Sequence, residues 1–380
     1  MLTPESRLSD FPSLGEMTYL NTAAESIPPT CVHNALEEYW RDKTRGMRGR
    51  DQHFAKLEEC REVAARAIGF NLNEVSFCSC SSEAYNLLAQ AMKLGDRDEV
   101  VITDLDFPAG ATPWLTDHAR PAVAIWKSRN GGLELEDLEP LLNERTRLVQ
   151  ISLVSFYNGY RIRWKPFVEC VRRLAPDAII SVDVTQALGR IELDLEGANC
   201  VISSTHKWAL GTHGGCVVGV REDVEHQLTT HAGGWFHIAN AFEANRFEKA
   251  VSNTGAASFS VGMPNFAAIY ALNASLRYLE RIGVPAIAAH ADPLTERLCA
   301  GLADLGIELM APRRTADESS GITAFRHPAT QSIHNGFEAR EVHVMHHAGR
   351  IRLAVHGYNT QADIDHCLTA LKEILAELPR

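Results

Sequence analysis

Between residues 74 and 220, short apolar runs alternate with helical stretches, and no other feature of the chain constrains its fold as tightly. The runs are Glu74–Cys78, Glu99–Asp104, Ala122–Lys127, Leu148–Val154, Ala178–Asp183, Cys200–Ser203 and Gly215–Val220. Several are apolar at every position rather than at every second one. A strand of that kind is covered on both faces, as in a sheet held between helices. Strands alternating with helices predict an α/β domain with a mostly parallel sheet. Such sheets bind ligands at the carboxyl ends of their strands, so the residues after each run are the ones to read for chemistry.

Two helical patterns precede the alternation, at roughly 31–46 and 54–69. The second places Leu57, Cys60, Ala64 and Ile68 on one face. Between them lies Arg45-Gly46-Met47-Arg48-Gly49-Arg50. That basic, glycine-rich stretch reads either as a solvated connector or as a mobile loop near an anionic ligand. Past 260 the pattern changes. A helix opens at Pro264-Asn265-Phe266, another runs from Val284 to Leu305, and short strands follow at Ile322–Phe325, Val342–Met345 and Arg350–Ala354, before a terminal helix from Thr360. This predicts an N-terminal segment (1–20) packing with the small domain, a large domain (21–263) and a smaller α+β domain (264–380).

Composition excludes several function classes. A chain of 380 residues with 45% hydrophobic content buries about three quarters of its unfolded surface. Its charge sum of −11 argues against a nucleic-acid binder. No apolar run approaches the ~20 residues of a membrane span. The first residues lack the pattern of a secretory signal, and a chain with nine cysteines and this much core needs no disulfide staple. A cytoplasmic setting is expected, without membrane or nucleic-acid partners.

Four stretches carry chemistry. In Ser203-Ser204-Thr205-His206-Lys207-Trp208, a lysine follows a strand end and precedes the turn Gly211-Thr212-His213-Gly214-Gly215. A partly buried lysine is readily deprotonated and can form a Schiff base, whereas an exposed loop lysine would do neither. Asp183 closes an apolar run and would face the crevice, where it could hold a pyridinium nitrogen protonated; a helix cap is the bland alternative. Ser81 and Ser82 follow Cys78-Ser79-Cys80 at a strand-to-helix junction, where helix N–H groups can bind phosphate. Cys78 and Cys80 lack a second pair for zinc, and the adjacent His346-His347 does not suit a metal, so no metal site is expected. Arg352 lies in the apolar run Arg350-Ile351-Arg352-Leu353-Ala354, and either a ligand carboxylate or a local acid would partner it.

Together these motifs resemble the class V aminotransferase family, which includes cysteine desulfurases, isopenicillin N epimerase and kynureninase. The resemblance runs from Tyr19-Leu20-Asn21-Thr22-Ala23-Ala24 to Tyr358-Asn359-Thr360. It implies a fold type I enzyme that uses pyridoxal 5′-phosphate (PLP), acts on a small amino acid and forms a homodimer. Lys207 matches the family's Schiff-base lysine and Asp183 the acid on the pyridine nitrogen. Gln186 matches the residue near the ring hydroxyl. Ser81, Ser82, Ser204 and His206 match the phosphate cradle, and Phe107 falls at the position that stacks on the ring. Arg352 matches the arginine that takes the substrate carboxylate, with Asn21 and Ala24 beside it.

Four departures bear on the reaction. Phe107 stands where desulfurases have a histidine, Phe156 where they have an asparagine, and Met263 where relatives have a threonine that reaches the partner subunit. No cysteine occurs from Gly301 to His366, the stretch of the desulfurase nucleophile. Cys367, beyond it, shares a helical face with Ile364, Leu368 and Leu371. The expected activity is therefore chemistry at Cα through a Schiff base with the substrate, amino-group transfer first. β-Elimination, as in a carbon–sulfur lyase, comes second and epimerisation third. A non-catalytic PLP-binding protein is the remaining alternative, against which Lys207 and Asp183 both stand. Sugar-nucleotide amination, the neighbouring fold type I chemistry, would leave Arg352 without a purpose.

Overall fold

The computed structural model describes residues 1–116, 121–311 and 318–378. A seven-stranded sheet forms its centre, from β2 (Val75–Cys78), β3 (Glu99–Thr103), β4 (Ala122–Trp126), β5 (Thr146–Ser152), β6 (Ile179–Asp183), β7 (Cys200–Ser204) and β8 (Cys216–Val220). β1 (Thr18–Tyr19) precedes it in the chain. The spatial order is β2-β8-β7-β6-β5-β3-β4. Both pairings of β8 are antiparallel and the other four are parallel. Every residue of β2, β6, β7 and β8 is buried, as their unbroken apolar runs require. β4, at the edge, is largely open.

Helices cover the sheet. α1 (Pro4–Asp10) lies in the N-terminal segment, followed by α2 (Thr30–Lys43) and α3 (Arg50–Ile68). Then come α4 (Ser81–Met92), α5 (Pro108–Leu115), α6 (Leu135–Leu138) and α7 (Trp164–Leu174) between strands, and α8 (Phe266–Ile282) after them. α8 packs on α2 and α3, so Ile269, Leu272, Leu276 and Leu279 join the core beneath the large sheet. The stretch 45–50 is not an open loop. Residues Gly46–Gly49 form a 3₁₀ turn and α3 begins at Arg50. A Cβ on Gly49 would fall 1.9 Å from the Asp42 carbonyl, so only glycine permits the turn.

The second core gathers α9 (Val284–Asp304), β9 (Ile322–Arg326), α10 (Thr330–Glu338), β10 (Val342–His343), β11 (Met345–His347), β12 (Arg350–Ala354) and α11 (Gln361–Glu377). β11, β12 and β9 form an antiparallel sheet. The predicted strand Val342–Met345 is divided: β10 pairs in parallel with β1, while Met345 begins β11. The N-terminal segment joins both cores. Leu20 enters the smaller one; Met1, Phe11 and Leu14 enter the larger. Among the described residues no helix is long and apolar enough to cross a membrane.

Candidate active site

β6 and β7 are neighbours, and their pairing brings two carboxyl ends together. Asp183 ends β6 and is buried. Its Oδ1 accepts the Thr185 N–H at 2.7 Å and its Oδ2 the Tyr85 hydroxyl of α4 at 2.9 Å. Asp183 therefore does cap a local turn, yet half of the carboxylate is held by a distant helix. Thr185 ties the two strands together, since its Oγ1 accepts the Ser204 N–H at 3.0 Å.

Past β7 the chain turns tightly. The Leu210 N–H donates to the Lys207 carbonyl and the Gly211 N–H to that of Thr205, each at 2.9 Å. Thr205 donates its hydroxyl to the carbonyls of Thr212 and Gly215. Gly214 adopts φ +82°, and a Cβ on Gly215 would lie 2.8 Å from Thr205 Oγ1. This packing carries Lys207 inward. Burial lowers its ammonium to about 8, Asp183 opposes that shift, and Arg352 adds to it. Among the described residues the Lys207 amine has no ion pair or hydrogen bond; it lies 5.1 Å from the centre of the Phe107 ring. Phe107 in turn meets Phe156 edge to face at 5.0 Å.

Gln186 is fully engaged by the protein. Its amide donates to the Ala23 carbonyl at 3.0 Å and its oxygen accepts the Trp208 indole N–H at 2.7 Å. It thereby fixes the N-terminal segment against the lysine turn. Ser26 reinforces this contact, since its N–H and hydroxyl both donate to the His206 carbonyl. Burial, with Lys207 and His213 nearby, lowers His206 to about 4, so its ring is neutral at physiological pH. The His213 ring stacks on it at 4.2 Å and faces the Glu25 carboxylate at 3.1 Å.

Ser81 opens α4 and is buried, whereas Ser82 is exposed. Cys80 provides no side-chain cap, which leaves first-turn N–H groups of α4 open to a ligand. Among the described residues, the hydroxyls of Ser81, Ser82 and Ser204 have no protein partner. Arg352 is 2% exposed, and burial with Arg350 alongside lowers its guanidinium to about 9. It donates to the Phe156 carbonyl at 2.6 Å, its Nε is unpartnered, and no described carboxylate pairs with it. Asn21 forms a bridge to Ala354 at the end of the arginine strand, and its Oδ1 is buried without a partner. Ala24 follows within the same turn, donating its N–H to the Asn21 carbonyl.

Asp183, Arg352 and Phe107 lie close enough to Lys207 to act on its amine, and Gln186 and His206 are tied to its turn, while Ser81 and Ser82 start α4, which reaches Asp183 through Tyr85. Met263 is exposed on a separate loop. Tyr85 and Thr185 were not anticipated. Tyr85 lies 98 positions from Asp183 and carries no local signal; Thr185 was visible only as a strand-end hydroxyl.

An aminotransferase class-V family model matches residues 18–366. The chain is a member of the class V aminotransferase family. It is 27% identical to an uncharacterized aminotransferase of Bacillus subtilis over 98% of both chains. It is 28% identical to a probable cysteine desulfurase of Methanothermobacter thermautotrophicus over 96% of both. The apo cysteine desulfurase of Thermococcus onnurineus superposes with a TM-score of 0.90 at 24% identity, covering 100% of this chain and 99% of that one. The α/β architecture is therefore that of fold type I, and this class V enzyme is PLP-dependent. The residues present fit that cofactor. A neutral histidine, three unengaged hydroxyls and a helix N-terminus suit a phosphate, and the unpaired lysine suits an aldehyde.

Proposed function

We propose that the enzyme moves the amino group of a small amino acid to a 2-oxo acid. One observation carries this reading: the group facing the Lys207 amine is the phenyl of Phe107, with Phe156 packed against it. A phenyl ring can stack but cannot carry a proton. Proton movement then falls to Lys207, and one mobile base suits a shift of a proton from one carbon to another on the same face. When bound, PLP supplies an aldehyde that condenses with amines and a ring that withdraws electrons from Cα. Lys207, whose amine is readily deprotonated, would be the group that holds that aldehyde, and its Nζ would hold the proton taken from Cα. Asp183, held by Tyr85 and Thr185, keeps a proton on the ring nitrogen. Ser81, Ser82, Ser204 and His206 hold the phosphate with the open N–H groups of α4. Gln186 would lie near the ring hydroxyl, and Phe107 would cover the ring. Arg352 takes the α-carboxylate with Asn21 and Ala24 at its side.

β-Elimination with carbon–sulfur cleavage is the second reading, supported by the relatives named as probable cysteine desulfurases. Formation of a persulfide on this chain is not part of it. No cysteine lies between 301 and 366. Cys367 is fully buried in α11, where burial pushes its thiol up to about 12. We also propose a homodimer. The folded chain exposes 17,020 Å² against the ~15,000 Å² that area scaling expects, and Phe242 and Phe247 are 85% and 90% exposed. Light scattering at twice the chain mass supports the dimer; an active monomer refutes it.

The deciding assay supplies a panel of amino acids with a 2-oxo acid and follows both products. Stoichiometric appearance of a new amino acid and a new oxo acid is expected. Release of ammonia, pyruvate and sulfide from L-cysteine, with no amino product, would favour lysis. Sustained alanine and sulfide from L-cysteine would overturn the exclusion of desulfuration.

A further inference from the structure

We propose that Arg350 is a second anion-binding group of the substrate site, and that the amino acid handled there carries an acidic side chain. This rests on the reading of Arg352 as the α-carboxylate arginine.

Arg350 and Arg352 lie two residues apart on β12, so both side chains leave the same face, with Cα atoms about 7 Å apart. They are 1% and 2% exposed. Burying one guanidinium without a counter-ion is costly, and a second beside it adds repulsion. A fold using these arginines only as struts would supply acids, and this one does not. Across the ladder, Arg350 faces Arg326 and His347, while Arg352 faces Ala324 and Met345. Arg350 Nη1 donates to the His347 carbonyl at 3.1 Å, but its Nε and Nη2 are buried with no partner. Neither arginine has a carboxylate partner among the described residues.

The two guanidinium groups meet at residues 156–157. Arg352 donates to the Phe156 carbonyl, and the Arg350 guanidinium stacks 4.1 Å from the Tyr157 ring centre. Arg326, the cross-strand partner of Arg350, donates to the Tyr157 hydroxyl. Tyr157 is half-buried and lies against Arg350 on one face. The unpartnered Nε and Nη2 of Arg350 leave its fork two donors for a carboxylate, sulfinate or sulfonate, two residues along the strand from the group that takes the α-carboxylate. The chemical class is thus an α-amino acid with a second acidic group on a short side chain, or the matching oxo diacid.

The PLP-loaded enzyme is titrated with L-aspartate, L-glutamate, L-asparagine and L-glutamine while the cofactor absorbance is followed. At least a tenfold tighter half-point for each acid than for its amide is expected. In Arg350→Gln the ratio should fall to about one, and in Arg350→Lys it should recover in part. A ratio near one in the unmodified enzyme, or an undiminished ratio in Arg350→Gln, overturns the proposal. If amides perturb the absorbance as strongly as acids, only this inference fails. If no amino acid perturbs it, the proposed activity fails, and the arginine pair is judged by melting with succinate or butyrate. A larger shift with succinate, lost in Arg350→Gln, supports the pair; equal shifts overturn it. Melting without ligand shows whether each variant is folded.

Discussion

The Tyr85 hydroxyl, on the buried face of α4, donates to Asp183 Oδ2 across 2.9 Å, and Asp183 has no arginine or lysine ion pair among the described residues. A hydrogen bond to a charged group is worth about 1.5–3 kcal/mol. Tyr85→Phe should therefore lower kcat by roughly ten- to a hundred-fold, and the melting temperature by a few degrees, because the same buried bond is lost from the folded state. Steady-state kinetics beside a melting curve checks this; an unchanged kcat would show that the tyrosine only fills space.

The lowered ammonium of Lys207 has a definite consequence for pH. Only the free amine condenses with an aldehyde, and burial makes that form abundant near pH 8 instead of above 10. Uptake of PLP by the cofactor-free enzyme should accelerate as pH rises through about 8 and then level off. Stopped-flow absorbance would record the midpoint. A rate still climbing tenfold per pH step between 9 and 10 would place the amine in its ordinary range.

His356 has its tautomer set by its neighbours. The Gly357 N–H donates to Nδ1, so Nε2 carries the proton and donates to the Trp208 carbonyl at 3.2 Å. Burial lowers the ring to about 3, as it lowers His206 to about 4. Both groups bind a proton in the unfolded chain near pH 6.5 and resist it when folded, so the unfolded state takes up more protons between those values. Stability is then fully present above about pH 6.5 and falls as pH drops toward 4 and on toward 3. Melting temperatures from pH 7.5 down to 4 should decline, and His206→Asn should flatten the upper part of that fall. Buried Asp106, pushed up to about 7, acts in the opposite direction in both proteins, so the comparison decides: an unchanged slope between pH 6.5 and 4 in His206→Asn contradicts the assignment.

Arg350→Met should stabilise the cofactor-free protein in a buffer without carboxylate or phosphate. Replacing an unpaired buried charge with an apolar chain of similar length removes a desolvation cost, and each kcal/mol is worth roughly 1–2 °C in a chain of 380 residues. A rise of a few degrees in the melting curve is expected. A fall would mean that the stacking on Tyr157 outweighs the cost of the charge.

The sheet was legible because its signal is local. All seven runs from Glu74 to Val220 became strands; the unbroken ones at β6, β7 and β8 are covered on both faces, while Ala122–Trp126 pairs at the open edge. Lys207 and Asp183 were legible for a related reason: each stands directly after such a run. Where short-range pattern competed with packing, reading failed. Gly46 and Gly49 suggested an open loop, but the close approach of Gly49 to Asp42 folds the stretch into a turn. Val342–Met345 read as one strand, and pairing with two different partners divided it.

By itself, the amino-acid sequence determined the order of strands and helices and the strand-end residues that carry chemistry, because periodicity and turn residues act over a few positions. The tertiary structure decided what those residues meet. Tyr85 reaches Asp183 only because α4 lies against the sheet, and Gln186 is held by Ala23 and Trp208 only because the N-terminal segment returns to the lysine turn. The state of Lys207 depends on how much water the surrounding elements exclude, and the lack of an acid beside Arg350 on the register of β9, β11 and β12. Burial and cross-strand pairing are relations between residues far apart in the chain, and only the folded arrangement brings them within the few ångströms over which hydrogen bonds and desolvation act.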